Sequence, residues 1–116
     1  MEFTDSILDS MKKLLGISND YNHFDQDIVI HINTAFMSLR QIGVGPKEGF
    51  AIHGSEETWG DFLPDMKTLE SVRTYLYLKV RLIFDPPTNS AVVEIFNKNI
   101  NEIEWRLNSE VDYPLD

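Results

Sequence analysis

The sequence predicts an all-α fold, a compact bundle of four main helices with a long irregular loop between the second and third. Three observations lead there. Residues 67–84 read as a helix that is apolar almost all the way round, halted by Asp85-Pro86-Pro87. Three other stretches keep the 3.6-residue apolar spacing of helices that cover a core. Between Gly43 and Pro64 that spacing is lost, and Gly43, Gly45, Pro46, Gly49, Gly54 and Gly60 punctuate the chain.

The first helix is expected over residues 5–15, with Thr4 or Asp5 as N-cap and Gly16 as the left-handed residue after its end. Ile7, Leu8, Met11, Leu14 and Leu15 form its apolar stripe, and Lys12 and Lys13 sit near its negative end. The second spans 26–42 behind Asp25 as cap, with Ile28, Ile32, Ala35, Phe36, Leu39 and Ile42 in period and Gly43 closing it. In the loop, Phe50-Ala51-Ile52-His53 alternates like a very short strand. Residues 58–63 suit one helical turn that folds Trp59 and Phe62 back onto the body.

The third helix, 67–84, carries two apolar faces: Leu69, Val72, Leu76, Val80 and Ile83 on one, Tyr75, Leu78 and Leu82 on another. Such a helix must be covered from two sides, either as the centre of the bundle or with one face left for another molecule. The first proline after it biases Asp85 away from helical geometry. The fourth helix follows Thr88-Asn89-Ser90 and runs to Leu107 on a stripe of Val92, Phe96, Ile100, Ile103 and Leu107, with Glu102 and Arg106 placed to pair. Residues 108–116 are acidic, contain Pro114, and are expected to form a mobile tail.

With 116 residues, the chain fits one domain, 1–116. Nineteen acids against ten bases give a net charge of −9, and no basic run is longer than Lys12-Lys13. A sequence-reading nucleic-acid binder needs clustered cations to neutralise phosphates, so that class is disfavoured. Without cysteine, disulfides, thiolate catalysis and cysteine-ligated metals are all out of reach. The N-terminus lacks a basic start and an apolar core, and no apolar run approaches a membrane span, so a cytoplasmic site of synthesis and no membrane are expected.

Signatures of catalysis are not found. No Gly-x-Ser-x-Gly elbow occurs, and Gly43-Val44-Gly45 follows no strand. His23, His31 and His53 lack the i, i+4 partner of a helical zinc site. Asp25, Asp27 and His31 invite a carboxylate–histidine site, but a cap, a dipole-compensating acid and an exposed ion pair explain them more simply. The reading is therefore of a non-enzyme with no catalytic, metal or cofactor site. Its interface candidates are Phe50, Ile52, Trp59, Phe62, Tyr75, Tyr77, Trp105 and Tyr113, aromatic and apolar residues of the loop, the third helix and the C-terminal segment.

Several pieces, in order, resemble one family. They are the opening helix 5–17, Phe24-Asp25-Gln26-Asp27-Ile28 through Ile32-Asn33, and Gln41-Ile42-Gly43-Val44-Gly45-Pro46. Trp59-Gly60-Asp61-Phe62-Leu63 follows, then Tyr77-Leu78-Lys79-Val80-Arg81 with Phe84-Asp85-Pro86-Pro87, and last Glu102-Ile103-Glu104-Trp105-Arg106-Leu107. The chain resembles the small head–tail connector proteins (head-completion or adaptor proteins) of tailed phages and prophages of Gram-positive bacteria. The resemblance implies a structural virion protein at the head–tail junction, present in the host cytoplasm during assembly. It implies a homo-oligomeric ring beneath the portal protein that extends the DNA channel and docks a downstream tail or stopper protein. DNA would pass through without specific binding, a passage that an acidic lining suits. The competing reading is a small acidic helical interaction or inhibitor protein, of anti-repressor or DNA-mimic type. A mimic needs its carboxylates gathered on one face, whereas here they are spread over every segment.

Overall fold

Helix α1 (Ile7–Leu14) begins two residues later than expected and is capped by Ser6, whose hydroxyl accepts from Asp9 N at 3.2 Å. Thr4 and Asp5 do not cap it, because the segment before the helix is hydrogen-bonded elsewhere. Asp5 O accepts from Trp59 N, Phe3 O accepts from Gly60 N, and Ile7 N donates to Glu57 O. The chain start is thus bonded to the far end of the long loop, with a single antiparallel bridge between Ser6 and Thr58. The computed structural model describes residues 3–63 and 66–111, and among these no strand forms.

Helix α2 (Asp25–Gln41) ends as its sequence suggests. Gly43 takes a positive φ of 92°, its N–H reaches Arg40 O, and Val44 N reaches Leu39 O. This paired arrangement satisfies two terminal carbonyls, and the apolar contact that usually accompanies it is supplied by buried Val44 and Leu39. Gly16 closes α1 in the same way, with Ile17 N on Lys12 O. The start of α2 departs from expectation, since Asp25 lies inside the helix and Phe24 precedes it with no side-chain cap. The Asp25 carboxylate instead faces Lys12, whose ammonium is 1 % exposed and lies 2.8 Å from Asp25 Oδ1. A buried ammonium without a counter-charge costs several kcal/mol, more than a cap returns, so the ion pair wins.

The one-turn helix α3 (Trp59–Phe62) is held by a capping box between Thr58 and Asp61. It delivers Trp59 and Phe62 into the core, and Trp59 Nε1 donates to Ser10 Oγ at 3.1 Å. Helix α4 (Met66–Phe84) is the centre of the bundle, packed by α2 on one side and by α5 (Ser90–Val111) on the other. Leu69, Val72, Tyr75, Leu76, Leu78 and Val80 are all buried. On the second apolar face Tyr75 and Leu78 are thus covered within the chain and Leu82 is half-buried, while Ile83, at the end of the first face, stays open. Phe24 against Phe84 and Asn108 against Ile42 show that α2 and α5 both run antiparallel to α4.

Asn89 caps α5, accepting Ala91 N on its side chain at 2.8 Å. The helix continues four residues past the expected end at Leu107. Leu107 is buried and the Asn108 amide donates to Ile42 O, so packing carries the helix onward, and no breaker occurs before Pro114. The part of the expected tail at 108–111 is therefore helical, and 112–116 lie outside the described residues. Glu102 and Arg106 pair at 2.7 Å, as their spacing predicts.

Candidate functional surface

The polar groups that the fold brings together are engaged by the fold itself. An open cleft of about 630 Å³ runs between α2 and the loop, lined by Asp25, Val29, Ile30, Asn33, Ile52 and His53 among others. Asp25, Asn33 and His53 among its polar members have structural partners. Lys12 draws in Asp25 while donating to Asn19 O and Tyr21 O at 3.2 and 2.8 Å. Asp25 Oδ1 accepts no aligned hydrogen bond, so the attraction there is ionic. Asn33 is bonded to Ile52 through both of its amide atoms.

His53 joins Glu57, whose Oε2 accepts from His53 N and meets its ring Nδ1 at 3.1 Å. Burial pushes the Glu57 carboxyl upward, but the hydrogen bonds from His53 and from the backbone of 53, 54 and 57 outweigh it, and the pKa is lowered. Tyr75 is pushed the other way, first by burial and then by Glu104, whose carboxylate accepts the phenol proton at 2.6 Å. Among the described residues no cluster of three His, Asp or Glu side chains is arranged to hold a metal ion. Asp25, Asp27 and His31 do not converge, because Asp25 is turned to Lys12.

The interface candidates separate by burial. Ile52, Trp59, Phe62 and Tyr75 belong to the core of the single chain, each 3 % exposed or less. Phe50 is half-buried, edge-on to Phe36 and Phe62. Tyr77 is half-buried on α4, its hydroxyl accepting from Arg81 Nη1 at 2.9 Å. Trp105 stands out into solvent at 71 % exposure. Tyr113 lies outside the described residues.

Sequence reasoning passed over three exposed aliphatic side chains, Ile30 and Met37 on α2 and Ile95 on α5, and placed a fourth, Ile83 on α4, on a face to be covered. The signal for the first two was present. The stripe through Ile28, Ile32, Ala35, Phe36 and Leu39 leaves Ile30 and Met37, seven residues apart, together on the opposite face. Single exposed apolar residues are ordinary, but a row on one helix with an open indole on another is the surface of a protein that meets other proteins.

Mostly helical among the described residues, with Asp25, Asn33 and His53 of its cleft tied into the fold and large apolar side chains facing outward, the molecule falls in the class of structural, partner-binding proteins. Residues 7–114 match the phage connector protein family, and the chain belongs to that family. It is a structural phage head–tail protein and a component of the virion. Comparison with curated proteins and with solved structures returns no match. Among the described residues no helix is long and apolar enough to cross a membrane.

Proposed function

We propose that this chain forms a homo-oligomeric ring beneath the portal, matching its symmetry, extends the DNA channel and joins the capsid to a downstream tail or stopper protein. Membership of the connector family supplies the setting. The observation that carries the reading is Trp105, an indole 71 % exposed on α5. Tryptophan is the side chain most often found at the energetic centre of protein interfaces, and exposing it to water forfeits the burial of its large apolar surface. The interface candidates of the ring are therefore Trp105 with the partly open Phe50 and Tyr77, joined by Ile30, Met37 and Ile95.

Net charge supports the channel. At −9, the assembled copies repel phosphate, so that DNA slides past without adhering. The protein acts by positioning, with no catalytic step of its own. A phage lacking this gene tests the reading. Its heads should package DNA yet fail to join tails, and supplying the chain in trans should restore tailed particles. Tailed, infectious particles in its absence would overturn it.

A further inference from the structure

Helix α5 carries a second seam on the side turned away from the core. Its buried residues Ile100 and Leu107 are held in the bundle, where α5 packs mainly on α4. On the opposite side Ala91, Ile95, Lys98, Glu102 and Trp105 follow one another at alternating steps of four and three. That is the spacing of the contact row between two helices packed lengthwise. All five are exposed, Ile95 at 55 % and Trp105 at 71 %, so no part of the described chain covers the row. Lys98 forms no ion pair among the described residues. Glu102 holds Arg106 through Oε2 at 2.7 Å, which leaves its other oxygen free to accept.

The row is its own complement. Ile95 and Trp105 stand equally far to either side of position 100, and so do Lys98 and Glu102. We propose that the free chain pairs with a second copy of itself through this face, the two α5 helices antiparallel and centred on Ile100. Ile95 then meets the partner's Trp105 and Lys98 meets the partner's Glu102, each contact occurring twice. These are the layers in which the alternate positions of two antiparallel helices face each other across a seam. A parallel pair would set Lys98 on Lys98 and Glu102 on Glu102, so charge fixes the direction. A second copy is the occupant that fits, because the row supplies in reverse order a partner for each of its own members. The contact is two-fold and stops at two copies, so it is a state of the free chain and not the ring. Two helices meeting along so short a row bury less than a standard interface, and the pair is weak and reversible. Trp105 also serves assembly in the reading above, so the pair must open before a copy joins the portal.

The test uses the chain alone, with no portal present. Sedimentation velocity from about 10 µM to about 1 mM should show a monomer–dimer equilibrium. Lys98→Glu and Glu102→Lys, each checked by thermal melting to fold like the wild type, set like charges together. Each should weaken the dimer by about tenfold or more at low salt. Mixed in equal amounts, the two variants should recover it, since one copy then brings two acids to the seam and the other two bases. The register is read separately. The chain has no cysteine, so introduced thiols are unique. Ile95→Cys mixed with Trp105→Cys should form a disulfide-linked dimer under mild oxidation, at a rate that neither variant shows alone. A wild type that stays monomeric throughout the range overturns the inference. So do single reversals that dimerise like the wild type, a mixture that does no better than its components, or thiols that fail to link across the register. None of these outcomes touches assembly on the portal, and a chain that pairs in this way yet ignores the portal overturns only the assembly reading.

Discussion

Asn33 holds Ile52 as a neighbouring strand would. Its amide nitrogen donates to Ile52 O at 2.9 Å, and its amide oxygen accepts from Ile52 N at 2.8 Å. One side chain on α2 thereby satisfies both backbone groups of a buried loop residue, and the loop is clamped flat against the bundle. Asn33→Ala leaves that N–H and C=O unpaired beside a residue only 1 % exposed, at a cost of about 2–4 kcal/mol. Urea unfolding should show that loss, and limited proteolysis should cut faster within 45–57. A variant as stable and as resistant as the wild type would show that the clamp is incidental.

Gly45 tolerates no side chain. Its φ is +94°, and an added Cβ would stand 2.5 Å from Phe62 Cε1. Gly45→Ala should cost about 2–4 kcal/mol from backbone strain and overpacking together. Gly54 faces open space, so Gly54→Ala should change stability by no more than about 0.5 kcal/mol. Thermal melts of the pair decide the matter, and equal midpoints would contradict it.

Lys12 ties α1 to the start of α2 through Asp25, Asn19 O and Tyr21 O. Removing the ammonium strands two carbonyls and a carboxylate that is 28 % exposed, which tempers the loss. Lys12→Ala should destabilise by about 2–4 kcal/mol, and the part due to the unpaired carboxylate should be absent from a Lys12→Ala/Asp25→Asn double variant. Equal losses in single and double variants would show that the ion pair carries none of it.

Helix positions were legible because each signal was local. The apolar period placed the four main helices, Gly43 and Asp85-Pro86-Pro87 marked their ends, and residues 58–63 suited the extra turn. What escaped the sequence was non-local. Asp25 reads as a cap until Lys12, thirteen residues earlier, is seen facing it. Phe50-Ala51-Ile52-His53 alternates like a strand because it lies against the body in extended form, but its hydrogen-bonding partner is a side chain. Ile52, Trp59, Phe62 and Tyr75 looked equally suited to an interface and to a core. Residue type and periodicity alone do not separate the two roles, and here Ile52, Trp59 and Phe62 fold back from the loop and its short turn while Tyr75 is buried within α4.

Acid should act through Glu57. Its pKa is lowered in the folded chain, so its contribution is complete above the ordinary carboxylate value of 4.5 and is lost as pH falls through the lower folded value. Glu57→Gln should therefore melt below the wild type at neutral pH, and the two midpoints should converge once the medium is acidic enough to protonate Glu57. Midpoints separated by the same interval at neutral and strongly acid pH would contradict this.

The central claim is assembly on a portal, and sedimentation velocity of the chain mixed with purified portal from its own phage tests it most directly. The account predicts that the chain leaves the slow boundary it shows alone and moves with the portal. Trp105→Ala, with an unchanged melting temperature, should be left behind. A wild-type chain that stays in the slow boundary at every portal concentration would contradict the account.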